Sequence, residues 1–529
     1  MYRTAEQRLS RLINHGNGEL LKDSQVGLEK ESLRVSPEGS LAQTPHPKML
    51  GSPLTHPFIT TDYSEALTEI VTPPCTDMQA ALDFLRDTQQ FVYSVLDDVG
   101  DKELLWATSM PCVVAGETSI PIAQYGTSNA GIMKTVYRRG LGHRYGRVMQ
   151  VIAGVHFNYS FPEKFWPVFQ SMEQQTGNMQ DFISASYFSL IRNLQRFGWL
   201  VPYLFGASPA VCKSFLGGKP TALESFDEHT YFQPFATSLR MGDIGYQNNK
   251  EAEIGIKANY DSLDTYVASL LKATETPYSG FEKMGVVVNG RYEQLNANIL
   301  QIENEYYSTI RPKQILDPFE KPAHALKRRG VRYVELRSID VNAYDPLGIN
   351  DRQLRFLEAF LVFCLLHESP RISDQERKDI DHNELATAHR GRDPKLHLHR
   401  NGKHVTLKEW ASEILNAMTG VCALLDHGHE GTPYSASLVA QIEKVKDPDR
   451  TPSARMLAEM REAGEGFFRF AMRMSQQHQH YFQGLAENSE RMTEFARYAE
   501  DSWVRQRELE AASNEPFAAY LQRYFAQSL

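Results

Sequence analysis

The sequence predicts an α+β fold, a strand-rich first part followed by a mostly helical second part. Three observations carry that expectation. From Gln25 to about Asn342, short segments alternate apolar and polar residues with period two, divided by Gly, Pro and Asn clusters. That is the pattern of half-buried strands. From Asp351 onward the periodicity is mostly helical. No linker, internal repeat or low-complexity stretch separates the parts. At ~150 residues per domain the 529 residues would allow three or four domains. The continuity favours one unit over 1–529, sheet-rich over 1–350 and helical over 351–529.

The strand-like segments come in order. Residues 27–35 read GLEKESLRV, and period two places Glu29, Glu31 and Leu33 on one face. Two carboxylates on one strand face repel unless a cation lies between them or water surrounds them, and this segment alone leaves both readings open. Residues 59–74, ITTDYSEALTEIVTPP, alternate Leu67, Glu69 and Val71, so Glu69 sits among apolar neighbours. Asp62 and Glu65 lie just upstream, and Glu65 is expected to be exposed. In MQVIAGVHFNYSFP, residues 149–162, Gln150, Ile152, Gly154, His156 and Asn158 share the less apolar face. His156 suits a metal ligand or phosphate donor, although a lone histidine there is more often hydrogen-bonded core. Residues 295–313, LNANILQIENEYYSTIRPK, would place Gln301, Glu303, Glu305 and Tyr307 on one strand face. In VRYVELRSIDV, residues 331–341, the same-face set is Tyr333, Glu335, Arg337 and Ile339. Glu335 and Arg337 fit a plain ion pair, or a metal ligand beside a guanidinium that holds transferring phosphate.

Helical signals follow. LRFLEAFLVFCLLH, residues 354–367, is apolar enough for a buried helix, with Asn350 or Asp351 as its cap. Thr451-Pro452 opens another helix, cap followed by proline at the first helical position. Residues 501–510 read as a charged solvated face. LHLHRNGKHVTL, residues 396–407, alternates around Asn401-Gly402, a pair suited to a type I′ hairpin turn.

Composition excludes several classes. The net charge is −9, from 56 basic and 65 acidic residues, with no basic stripe, so nucleic acid is not an expected partner. The first 21 residues lack an apolar run, and no stretch reaches the ~18 apolar residues of a membrane span. Mean hydropathy is −0.43. Cys75, Cys112, Cys212, Cys364 and Cys422 are odd in number and far apart. Reduced thiols in a cytoplasmic protein are expected, not a disulfide framework or thiolate zinc site. SFLGGKPT, residues 214–221, lacks the P-loop spacing, GASPA lacks the last glycine of a nucleophile elbow, and there is no H-E-x-x-H. His397 and His399 read as a surface hairpin. What remains is an acidic set spread over several strands, which suits Mg²⁺ gripping ATP phosphates across a sheet.

Together these segments resemble the γ-proteobacterial type of glutamate–cysteine ligase (γ-glutamylcysteine synthetase). The resemblance is carried by GLEKESLRV, GSPLTHPFITTDYSEALTEIVTP, SMPC, AQYGTSNAGIMKTVYRRGL, GVHFNYSFP, RFGWLVPYLFGASPAVCKSFL, ATSLRMGDIGY, LQIENEYYSTIRPK and VRYVELRSIDVNAYDPLG, and near the end by EAASNEPFAAYL. It is weakest over residues 368–446, to which no role is carried. One local departure is Tyr306, where an aliphatic residue is expected.

The resemblance implies a curved, mainly antiparallel sheet forming a funnel, related to glutamine synthetase, with a helical C-terminal region. It implies metal ligands at Glu29, Glu31, Asp62, Glu69, His156 and Glu335, with Mg²⁺ as the ion and Mn²⁺ as an alternative. Tyr137, Tyr246 and Tyr307 match a pocket for cysteine, and Arg240 and Arg337 match arginines for substrate carboxylate and phosphate, Arg337 and Glu335 acting in catalysis. The implied reaction joins the glutamate γ-carboxyl to the cysteine amine at the expense of ATP, through a γ-glutamyl phosphate. The implied partners are small molecules, with feedback by glutathione. Two alternatives share the scaffold. One is another ATP-dependent carboxylate–amine ligase or a glutamate kinase. The other is a non-catalytic glutamate or nucleotide sensor, which would be expected to lose acidic ligands.

Overall fold

The computed structural model describes residues 2–14, 17–98, 102–111, 114–245, 257–486 and 488–528. Its centre is a seven-stranded sheet. The strands are β1 (Gln25–Val35), β2 (Ile59–Thr61), β3 (Leu67–Val71), β4 (Leu104–Leu105), β5 (Gly154–Ser160), β6 (Ile310–Lys313) and β7 (Tyr333–Asp340). Their order is β6-β7-β5-β1-β3-β2, with β4 pairing the far end of β1. Every pairing among them is antiparallel. The expected mixture of strands and helices is therefore present, with all seven strands before residue 341 and helices dominating after 351.

β1 lies in the middle because its two faces serve different neighbours. Val26 and Leu28 point into the core, while Glu29 and Glu31 point away from it. The helices Met78–Asp98, Met179–Phe197 and Asp351–Leu366 cover the apolar side. The last of these is buried almost all round, as its composition requires, and Asn350 caps it by accepting from the Gln353 N–H. Thr451 likewise caps Pro452–Ala463. The Asn401-Gly402 turn has positive φ at both residues, 52° and 72°, as a type I′ hairpin demands.

Several expectations need correction. Residues 149–151 form a 3-10 turn, and the strand begins only at Gly154. Glu303–Glu305 is also a 3-10 turn, so residues 301–307 do not share a strand face. In β7, a bulge lies between Leu336 and Ile339. The extra residue returns Ile339 to the core, opposite Val155, while Arg337 stays on the polar face. Glu65 is buried, not exposed. Its carboxylate accepts the His46 and Gln124 backbone N–H groups, both at 2.6 Å. Within the 501–510 face, Ser502 and Gln506 are buried against the turn at Ser52. Cys75, Cys212, Cys364 and Cys422 are free thiols, and Cys112 lies outside the described residues. No described helix is long and apolar enough to cross a membrane.

The exit of β1 is held by an ion pair. Arg34 has no exposed surface, and its Nη1 lies 2.5 Å from Glu103 Oε2. Its Nη2 reaches the carbonyls of Thr44, Pro45 and Glu65. Removing one partner of such a pair leaves an uncompensated buried charge, which costs about 3–5 kcal/mol, whereas replacing both by apolar residues is milder. Glu103→Ala should therefore lower the urea midpoint strongly, and the double variant Arg34→Met, Glu103→Met should recover much of the loss. Equal destabilisation in both variants would show that the packing, not the charge, matters there.

Candidate active site

The polar face of the sheet opens into a cleft of about 270 Å³. Every residue of the expected ligand set lines it: Glu29, Glu31, Asp62, Glu69, His156 and Glu335. Strand register explains the convergence. Glu31 lies directly opposite Glu69, and Glu29 opposite His156. On the next strand Glu335 pairs with Asn158. Asp62 follows β2, its backbone N–H bonded to the Leu67 carbonyl.

Hydrogen bonds set the acids in place. His156 Nδ1 lies 3.0 Å from Glu29 Oε2 and 3.6 Å from Glu335 Oε1, and its Nε2 lies 3.8 Å from Glu31 Oε1. Asn158 donates to Glu29 Oε1 at 2.9 Å, and the Gly154 N–H donates to Glu31 Oε2 at 2.7 Å. Arg337 donates to Glu335 Oε1 at 2.9 Å, and Lys313 Nζ stands 3.1 Å from Glu335 Oε2.

The four strand carboxylates divide into two electrostatic classes. Burial works against a charged Glu335, but Lys313, Arg337 and His156 outweigh it and hold the group well below the usual carboxylate range. Burial and Glu335 oppose the charge on Glu29, yet the hydrogen bond and charge of His156 keep it low as well. Across the sheet the sign reverses. Burial, followed by Glu29, Asp62 and Glu31, pushes Glu69 well above its ordinary value. Burial is also the main cause raising Glu31, with Asp62 adding to it. Cations thus crowd the β6–β7 edge, while the β1–β3 side holds an excess of acid.

That imbalance fits a divalent cation. Among the described residues, Glu29, His156 and Glu335 form the group whose ligand atoms all lie within 4.8 Å of one another. Asn158 Oδ1 and Arg337 Nε are buried without a hydrogen-bond partner. Buried polar atoms of native proteins are nearly always satisfied, so these two fit ligands from outside the chain. Carboxylate oxygens with one imidazole suit Mg²⁺ or Mn²⁺.

The opposite wall is the helix Asn129–Tyr145. Tyr137, Leu141 and Tyr145 recur every four residues and face the cleft, with Arg138 beside them. Arg138 Nε donates to the Asp62 carbonyl, and its guanidinium lies 4.6 Å from the Tyr125 ring centre. The start of this helix is tied to the chain's end. Ser513 Oγ accepts from the Asn129 N–H at 2.8 Å, and the Asn129 side chain donates to the Glu515 carbonyl at 2.9 Å. The EAASNEP run therefore secures a wall of the cleft.

Tyr307 also lines the cleft, and its hydroxyl approaches Met241 Sδ at 3.6 Å. Its neighbour Tyr306 packs in the core, so the departure at that position does not face the cleft. Tyr246 lies outside the described residues. Arg240 is buried behind the wall. It donates to the Arg337 carbonyl at 2.8 Å and lies 3.6 Å from Asp340. A Cβ on Gly154 would fall 2.2 Å from its Nη2, so glycine there makes room for the guanidinium. Glu303 is buried away from the cleft, and Glu305 pairs with Arg144 at 2.9 Å. Sequence reasoning missed Arg138, Arg311 and Lys313. A signal existed for the last two, since period two along IRPK puts them on the face of Glu335. Pro312 between them fits because β6 is an edge strand.

Comparison with known proteins adds the following. Residues 9–387 match the family described as glutamate-cysteine ligase. The chain is 47% identical over 526 residues to the glutamate–cysteine ligase of Alcanivorax borkumensis, covering 98% of this chain and 99% of that one. It is 48% identical over 523 residues to that of Pseudomonas paraeruginosa, covering 99% and 98%. Among solved structures it is similar to a glutamate–cysteine ligase from Francisella tularensis in complex with AMP. The TM-score is 0.88 at 35% identity, covering 95% of this chain and 97% of that chain. A bifunctional glutathione synthetase from Pasteurella multocida shares the fold, with a TM-score of 0.70 at 23% identity, covering 89% of this chain and 54% of that one.

The acidic overload predicts how a neutral substitution behaves. Glu69→Gln removes one negative charge at nearly constant shape, opposite Glu31. In chelator at pH 7.5 this variant should melt no lower than wild type. On adding Mn²⁺ its melting temperature should rise less than that of wild type. An unchanged metal-induced rise would show that Glu69 is a strand residue without a ligand role.

Proposed function

The chain belongs to the glutamate–cysteine ligase family, and we propose that the acidic cleft is where it makes γ-glutamylcysteine. The enzyme is an ATP-dependent ligase that joins L-glutamate to L-cysteine, the first step of glutathione synthesis. The observation that carries the assignment of the site is the convergence of six ligand positions on one cleft, beside Tyr137, Tyr307 and Arg337. A non-catalytic sensor on this scaffold would have no need to keep all six.

A carboxylate is a poor acyl donor, because its carbonyl is deactivated and oxide is a bad leaving group. In our reading the glutamate γ-carboxylate oxygen attacks the γ-phosphorus of ATP and the bond to the β-phosphate oxygen breaks. ADP departs and a γ-glutamyl phosphate remains. The amine of cysteine, having lost a proton, then attacks the acyl carbon, and phosphate leaves from the tetrahedral intermediate. Bound Mg²⁺ would supply charge neutralisation along the phosphates, held by Glu29, Glu31, Asp62, Glu69, His156 and Glu335. Arg337, fixed against Glu335, would hold the transferring phosphoryl group and stabilise negative charge as it develops. Arg240, matched by resemblance to a substrate arginine, sits beneath it, where its hydrogen bond to the Arg337 carbonyl would position Arg337. Tyr137 and Tyr307, with Tyr246 by resemblance, would enclose the short cysteine side chain.

The same reading treats residues 1–529 as one catalytic unit, and the curved sheet as a funnel of the glutamine-synthetase kind. It places the enzyme in the cytoplasm, with glutathione as a feedback ligand. Purified protein with ATP, Mg²⁺, glutamate and cysteine should form γ-glutamylcysteine, ADP and phosphate in equal amounts. Release of AMP and pyrophosphate would rule out the acyl-phosphate route. ADP formation from glutamate alone, as fast as with any amine acceptor present, would instead favour a glutamate kinase.

The acceptor pocket has its own test. One lost aromatic contact is worth roughly 1 kcal/mol, about a fivefold effect. Tyr307→Ala should raise KM for cysteine by about that factor and leave KM for glutamate nearly unchanged. The reverse pattern would move Tyr307 to the glutamate side.

A further inference from the structure

The ammonium of Lys313 stands beside a carboxylate that a divalent ion would also claim. Its Nζ lies 3.1 Å from Glu335 Oε2, and among the described residues no other carboxylate lies within ion-pair distance of it. Yet the contact does not have the geometry of a hydrogen bond. Charge holds the pair, and a directed hydrogen bond does not. The contrast is with Arg337, which donates to Oε1 of the same carboxylate in line at 2.9 Å.

Glu335 is also one corner of the cluster with Glu29 and His156 that suits a divalent ion. An ion on Glu335 and an ammonium at 3.1 Å from the same oxygen repel each other, so the two compete for that carboxylate. Lys313 can yield. It lies on β6, the edge strand of the sheet, and its side chain is 29% exposed against 1% for Glu335. A lysine carries three donors on a flexible four-carbon stem, whereas the neighbouring guanidiniums of Arg311 and Arg337 are wider and more enclosed.

We propose that Lys313 is a phosphate-binding residue that exchanges partners. It neutralises Glu335 in the empty cleft and turns to the anionic phosphates of the nucleotide when cations take over that carboxylate. The inference rests on the ligase reading above, because that reading supplies the phosphates. Arg311 lies beside Lys313 on the same strand and opposite Glu335 in register, so the edge already carries two cations facing the cleft. The displaced ammonium therefore joins a basic edge, and the anion that suits this edge is a polyphosphate.

Lys313→Met separates the two roles because they respond with opposite sign. Binding of Mn²⁺ alone, read as the loss of the free-ion electron-spin signal without nucleotide, should tighten at least threefold. Binding of ADP in the presence of Mg²⁺, read by calorimetry, should weaken at least fivefold. Lys313→Arg keeps the charge and should return both constants most of the way to wild type. A misfolded variant would lose both affinities together. Unchanged or weaker Mn²⁺ binding overturns the competition, and unchanged ADP binding leaves Lys313 as a mere counter-charge and overturns the exchange. Failure of the wild-type protein itself to bind ADP with Mg²⁺ would instead overturn the ligase reading, and this inference with it.

Discussion

The repulsion between Glu31 and Glu69 governs the centre of this molecule. The two carboxylates lie directly opposite on adjacent strands, with Asp62 and Glu29 close enough to raise Glu69 further. Like charges facing across a strand pair destabilise it. The pairing persists because the other side of both strands is secured independently. β1 buries Val26, Leu28 and the Arg34–Glu103 pair beneath covering helices. Even Lys30, between the two acids, points into that core, reaches Gln89 at 3.1 Å and is drawn down to about 7 by burial. The sheet holds its acids together by force of packing, and a cation bound between them would relieve what packing alone sustains.

The same constraint explains what surrounds the acids. A cleft with six carboxylates and no cations would be untenable at neutral pH. Positive groups accordingly approach from two sides. β6 and β7 bring Arg311, Lys313 and Arg337 to one edge, and the helix Asn129–Tyr145 brings Arg138 over the other. That helix must be held in place for its arginine to count. The contacts from Ser513 and Glu515 do so across 384 or more residues of sequence. The distant chain end thus contributes to the electrostatics of a site it never touches.

Much of this was legible in the sequence, and the reasons for the misses are physical. Period two correctly placed Glu29 with Glu31, and Glu335 with Arg337, on the cleft face, and put Asn158 on the His156 side, where it reaches Glu29, since strand alternation is a property of the backbone. The Asn401-Gly402 turn and the caps at Asn350 and Thr451 were equally local. Tertiary context decided the rest. Glu303 and Glu305 alternate as a strand would, but the chain turns there in a 3-10 helix and only Glu305 reaches the cleft. Glu65 was expected in water, because nothing local shows that two backbone N–H groups from residues 46 and 124 would converge on it. Convergence of the six candidate ligand residues on one cleft depends on strand order, and no single segment encodes strand order.

The bulge in β7 shows how small a departure from regularity the site requires. In a regular strand Glu335, Arg337 and Ile339 would all project into the cleft. An apolar Ile339 there would face the charged groups of the cleft, and the polar Ser338 would take its place in the core opposite Val155. Inserting one residue after Leu336 resolves both problems. Ile339 turns inward, and Asp340 becomes available to accept the Ser238 hydroxyl and the Ala207 N–H, at 2.9 and 2.8 Å. Asp340 in turn stands 3.6 Å from Arg240, the guanidinium that supports the Arg337 carbonyl. The irregularity therefore belongs to the mechanism of positioning. It lets one strand present Glu335 and Arg337 to the cleft at its start, and anchor the layer beneath them at its end.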